Sequence, residues 1–113
     1  MGFCLGGKLA YLMAARSDAD CNAAFYGVGI QDMLGEAANI KKPFLMHIAE
    51  KDGYVPPDAQ AKIKDGLKGN SNVTIYSYPG VDHAFARHGG KNYNKEAAEL
   101  AFDRTDEFLA KNL

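Results

Sequence analysis

Three residues of this chain have the types needed for covalent hydrolysis: Cys4, Asp52 and His83. A cysteine thiolate is a nucleophile, and a histidine can accept its proton and later return one to a leaving group. A carboxylate can hold that imidazole in one tautomer and stabilise its charged form. Cys4 stands in Gly2-Phe3-Cys4-Leu5-Gly6-Gly7-Lys8, which has the composition of a sharp turn with the nucleophile at its tip. Small residues two before and two after the tip let the backbones approach there. A helix is expected to open directly after Cys4. The partial positive charge of its N-terminal end is expected to favour the thiolate. The backbone N–H of Leu5 is expected to donate one hydrogen bond to an oxyanion.

Other chemistries compete for the same residues. The spacing Gly2-x4-Gly7-Lys8 also resembles a phosphate-binding loop, but that motif needs Ser or Thr after the lysine and Leu9 follows here. A plain Gly-rich entry to a helix, with Cys4 as a small packed residue, is the simplest alternative. Asp52 in Lys51-Asp52-Gly53 also suits a turn, and a loop histidine such as His83 is commonly solvated. A zinc site from Cys4, His47, His83 and His88 lacks close ligand spacing, so no metal is expected. His47 reads as a core histidine with one satisfied nitrogen, His88 as loop surface, and Cys21 as a small residue near a strand.

The elements that must position these residues alternate along the chain. Leu5 to Arg16 reads as a helix, with Leu9, Leu12 and Met13 at helical spacing and Ala10, Ala14 and Ala15 suited to close packing. Ala23 to Tyr26 reads as a buried strand, Gln31 to Asn39 as a weak helix or loop, and Phe44 to Ile48 as a second buried strand. A helix opens at Pro56-Pro57 and runs to about Leu67. Val73 to Tyr78 is a third strand, Pro79 to Gly90 a loop, and Asn94 caps a last helix reaching Leu113. The apolar stripe of that helix is Ala98, Ala101, Phe102, Thr105, Phe108 and Leu109. This order implies an α/β fold, a parallel sheet with flanking helices. Functional residues collect at the C-terminal ends of such strands, and all three chemical candidates fall there.

The sequence of 113 residues with net charge −1 and 47% apolar residues fits one globular domain. It offers no charge field for nucleic acid and no apolar run long enough for a membrane. Two cysteines make no disulfide framework, and the start lacks a basic region followed by an apolar one, so a cytoplasmic setting is expected. Only three residues precede Cys4, so the chain reads as truncated on the N-terminal side, with an unpaired sheet edge.

Four segments together carry a family resemblance: Gly2-Phe3-Cys4-Leu5-Gly6-Gly7, Phe25-Tyr26-Gly27-Val28-Gly29, Asp52 with Val55-Pro56, and His83-Ala84-Phe85-Ala86-Arg87. In register from Gly2 to the last helix, the chain resembles dienelactone hydrolase (carboxymethylenebutenolidase). The resemblance implies an α/β-hydrolase-like fold, with residues 1–113 as the C-terminal part of the domain, starting at the elbow. It implies cleavage of a small lactone or ester, as in the opening of dienelactone to maleylacetate, without a cofactor. Cys4, Asp52 and His83 match the family triad, Arg87 matches an arginine that grips the substrate carboxylate, and Tyr26 lies in the substrate-binding segment. Phe25 stands where a second pocket tyrosine is expected. In the family a second oxyanion donor, a glutamate partnering the cysteine and another arginine come from the half preceding the elbow. The alternative expectation is a non-catalytic α/β fragment that associates, as a homo-oligomer or with another chain, through its sheet edge.

Overall fold

In the computed structural model, which describes residues 1–113, the short strand β1 (Gly2–Phe3) runs into a turn at Cys4 and then into helix α1 (Leu5–Arg16). There follow β2 (Asn22–Phe25), two 3₁₀ turns at Ile30–Asp32 and Leu34–Asn39, β3 (Phe44–Ala49), α2 (Pro57–Leu67), β4 (Val73–Tyr78) and α3 (Lys95–Asn112). The strands lie in the order β1-β2-β3-β4 and every neighbouring pair is parallel. This is the expected parallel sheet with flanking helices.

The sheet is covered on both faces, as apolar parallel strands require. Every residue of β3 is buried. Its Phe44, Met46 and Ile48 join Ala10, Tyr11 and Ala14 of α1 and Ala59, Ile63 and Leu67 of α2 in one core. Ala49, with Phe25 of β2 and Tyr78 of β4, faces the other way, against Ala98 and Ala101 of α3. To reach that second face, the chain between β4 and α3 must pass over the C-terminal ends of the strands. The loop that carries His83 is this passage. Asn94 caps α3 as expected: its Oδ1 accepts the Ala97 N–H at 2.9 Å.

Several sequence expectations need correction. β2 spans Asn22–Phe25, not Ala23–Tyr26, because Asn22 pairs with Phe44 and Tyr26 leaves the strand with φ 40°. β4 is a half-exposed edge, unlike β2 and β3. In α1 the large apolar residues do not form the buried face: Leu9 is 53% and Met13 50% exposed, while Gly7, Ala10, Tyr11 and Ala14 are buried. The cause is the closeness of helix and strand, since a Cβ added at Gly7 would lie 2.7 Å from the Gly27 Cα. In α3 Phe102 is partly exposed, while Ala98, Ala101 and Thr105 are buried. His47 has both nitrogens satisfied, Nδ1 by the Tyr78 hydroxyl and Nε2 by Thr105 Oγ1, each at 2.8 Å.

Gly7 gives a direct test of this packing. Gly7→Val would force backbone against backbone, and is expected to lower the unfolding free energy by about 1–3 kcal/mol in a urea titration.

Candidate active site

The turn at Cys4 is strained. Cys4 sits at φ 57°, ψ −119°, where a side chain is rarely tolerated. Its N–H is held by the Phe25 carbonyl at 3.1 Å, and its own carbonyl accepts the N–H of Gly7 at 2.9 Å. A Cβ on Gly2 would strike the Gly6 carbonyl, so Gly2 must be small, as expected of the residue two before the tip. At Gly6 a Cβ would meet nothing, so the expected constraint two residues after the tip does not hold within this chain. Leu5 is the first residue of α1, and its N–H is therefore one of the donors a helix start leaves without an intrahelical partner. Only two other non-glycine residues have positive φ, Tyr26 at 40° and Ala84 at 63°, and both line the same site.

Asp52 follows β3 and His83 follows β4, so the pairing of these two strands brings their loops side by side. Asp52 Oδ2 lies 2.9 Å from His83 Nδ1. The Asp52 side chain is 1% exposed and that of His83 13%, so the pair is shielded and neither is a solvated loop residue. The other Asp52 oxygen accepts the Tyr54 N–H at 2.8 Å. With Nδ1 bonded to the carboxylate, Nε2 is the ring nitrogen left for chemistry. The imidazole is packed edge-on between two phenol rings, Tyr26 at 5.2 Å and Tyr54 at 4.7 Å between centroids.

A mostly apolar cavity of about 260 Å³ opens at Cys4, lined also by Phe3, Tyr26, Ala84, Ala86, Arg87 and Phe102. A larger hollow of about 400 Å³ lies at the opposite end of the sheet, around Asn70 and Asn72, far from these groups. Tyr26 joins the two parts of the site, touching the cavity of Cys4 and the ring of His83. The thiol itself makes no hydrogen bond to the imidazole. Burial first, and then the Asp52 charge, push the Cys4 thiol up, while Arg87 pulls it down. The pull of the helix end toward the thiolate is thus opposed at Cys4 by desolvation and a nearby carboxylate. Burial, followed by the proximity of Cys4, pushes the Tyr26 phenol up to about 12. His88 is exposed beside Tyr93, and no three His, Cys, Asp or Glu side chains are gathered as a metal would need.

Sequence reasoning passed over two supporting side chains. Gln60, buried on α2, donates through Nε2 to the carbonyls of Ala49, Glu50 and Val55, and so holds the loop that carries Asp52. Asp82 Oδ1 accepts the backbone N–H groups of Gly53 and His83. Asp82 had a sequence signal, its place beside His83, but Gln60 had none, because helix-surface glutamine is commonplace.

The dienelactone hydrolase family model matches residues 1–113. The chain belongs to the dienelactone hydrolase family. A "Putative carboxymethylenebutenolidase" of Azospirillum brasilense is 58% identical over 109 residues, which cover 96% of this chain and 47% of that protein. Carboxymethylenebutenolidase 1 of Cupriavidus pinatubonensis is 39% identical over 110 residues, 97% of this chain and 47% of that protein. In three dimensions the chain is similar to the crystal structure of the "Putative Dienelactone Hydrolase" of Klebsiella pneumoniae, with TM-score 0.84, 28% identity, and coverage of 96% of this chain and 50% of the other. The chain thus spans about half the length of the dienelactone hydrolase relatives it matches. No helix is long and apolar enough to cross a membrane.

Proposed function

We propose that this chain carries the nucleophile, acid and histidine of a dienelactone-hydrolase-type site, contributing the part of the domain that runs from the elbow onward, and acts on small esters or lactones. The observation that carries this reading is the shielded Asp52–His83 contact at 2.9 Å, beside a strained Cys4 at the same end of the sheet. With Cys4 a neutral thiol at rest, His83 Nε2 must take its proton as sulfur attacks the carbonyl carbon. The Leu5 N–H donates to the oxygen that becomes negative. The C–O ester bond then breaks, and the His83 proton goes to the leaving oxygen; in a lactone that oxygen stays tethered. Water, deprotonated by His83, displaces sulfur and releases the acid. Arg87 offers a fork to a substrate carboxylate, and Tyr26 remains a phenol that can only donate to an anion. A reducing cytoplasm would keep the Cys4 thiol free for this chemistry.

The test uses p-nitrophenyl acetate and a simple lactone, with iodoacetamide labelling of Cys4 across pH. Hydrolysis is expected to stop on labelling. The labelling midpoint is expected above that of free cysteine, to move down in Asp52→Asn and up in Arg87→Gln, because the first removes a repelling charge and the second an attracting one. Turnover that survives Cys4→Ala sinks the reading.

A second reading, association without catalysis, is favoured by the outward Leu5, Leu9 and Met13, which share one side of α1. A species that stays monomeric in concentrated sedimentation runs counts against it.

A further inference from the structure

We propose that Asp82 is a positioning residue that clamps the loop of Asp52 to the loop of His83. The clamp is one atom: Asp82 Oδ1 accepts the Gly53 N–H at 3.1 Å and the His83 N–H at 2.6 Å. The inference rests on the proposed roles of Asp52 and His83 and goes beyond them, because Asp82 lies outside the reacting groups.

The need for a clamp follows from where the sheet ends. Beyond β3 and β4 the two chains stay joined by the Glu50 N–H on the Tyr78 carbonyl at 3.1 Å and the Lys51 N–H on the Val81 carbonyl at 2.9 Å. The backbone rungs then stop, since the Asp52 N–H turns back to the Ala49 carbonyl at 3.2 Å. Without a further tie, only the Asp52–His83 hydrogen bond itself would join the two loops beyond that point. The Asp82 carboxylate supplies the next rung from a side chain. It grips the residue after Asp52 and the backbone of His83 itself. From the other side, Asn92 Nδ2 donates to the His83 carbonyl at 3.0 Å, so the histidine backbone is held at both its N–H and its carbonyl. The same two amides, with the His83 ring, hold the Asp82 carboxyl below the usual carboxylate range, so the acceptor stays ionised at neutral pH. A slip of an ångström between these loops would stretch the Asp52–His83 hydrogen bond beyond use.

The test follows the His83 Nδ1 proton by NMR of the ¹⁵N-labelled chain, assigned by its loss in His83→Gln, alongside turnover of p-nitrophenyl acetate. The parent is expected to show a downfield Nδ1 proton protected by Asp52. In Asp82→Ala that signal should vanish by exchange and kcat fall about 10–100-fold, with KM within about 2-fold. Asp82→Asn keeps an Oδ1 acceptor and is expected to retain both signal and turnover. An unchanged signal in Asp82→Ala overturns the proposal, as do equal losses in the Ala and Asn variants, or a parent without the signal. Should Asp82→Ala fail to fold by circular dichroism, Asp82→Ser keeps a polar atom in the turn but is too short to span to Gly53. It should lose the signal, and a Ser variant that keeps it overturns the clamp. A parent that shows the proton but turns over no ester sinks the hydrolase reading alone, and the clamp is then judged on the proton.

Discussion

His83→Ala is expected to lower kcat for p-nitrophenyl acetate about 10²–10⁴-fold while KM changes little, because it removes the group that moves the proton and leaves the cavity at Cys4 in place. The size of the effect follows from the state of the thiol. Were Cys4 a free-standing thiolate, loss of the imidazole would spare the attack and cost only the later protonation of the leaving group and activation of water. Burial and the Asp52 charge instead raise the thiol, so the attacking form has to be made by His83 during the reaction. Raising the pH should therefore partly rescue His83→Ala, as hydroxide does the work of the missing base. Stopped-flow or plate assays from neutral to alkaline pH measure both the loss and the rescue. A variant as active as the parent at neutral pH contradicts the assigned role.

The second large effect concerns stability. His47 is fully buried and its hydrogen bonds fix its tautomer. Thr105 Oγ1 gives its proton to the Ala101 carbonyl at 2.8 Å, so it must accept from His47 Nε2–H. His47 Nδ1 is then bare and accepts from the Tyr78 hydroxyl, whose oxygen accepts Arg104 Nη1–H at 3.2 Å. Protonation at Nδ1 would break this chain beside the Arg104 charge. Burial, and then Arg104, lower the His47 pKa to about 3 from its ordinary 6.5. Between those values the unfolded chain binds a proton that the folded chain refuses. The stability is present above pH 6.5 and is lost as pH falls toward 3, by about 3 kcal/mol between pH 7 and pH 4. Urea unfolding at the two pH values measures it. In His47→Gln, which cannot titrate, the difference should shrink by that amount. An equal pH dependence in the two proteins removes His47 as the cause.

Much of this architecture could be read from residue types. The alternation of short apolar strands with helices implies the parallel sheet, and the sheet implies that Cys4, Asp52 and His83 lie at one end of it, because parallel strands all point their C-terminal ends the same way. What could not be read depended on contacts between distant segments. The buried side of α1 is chosen by Gly7 against Gly27, two positions that only the fold brings together, and the leucines of the helix gave the opposite hint. Gln60 sits among Lys, Asp and Ala in a helix that looks solvated, and the loop carbonyls it satisfies come from elsewhere in the chain. The state of the Cys4 thiol also depends on distant segments. The helix end next to it is visible in sequence, but the burial and the Asp52 charge that oppose it are tertiary.

With Leu5, Leu9 and Met13 turned outward along one line of α1, and a net charge of only −1 over the whole chain, attraction between molecules in water meets little electrostatic opposition. The osmotic second virial coefficient is expected to fall, and to fall further on warming, because such attraction is hydrophobic in origin. Colloidal attraction in concentrated solution is thus the expected consequence of that strip, measurable by static light scattering.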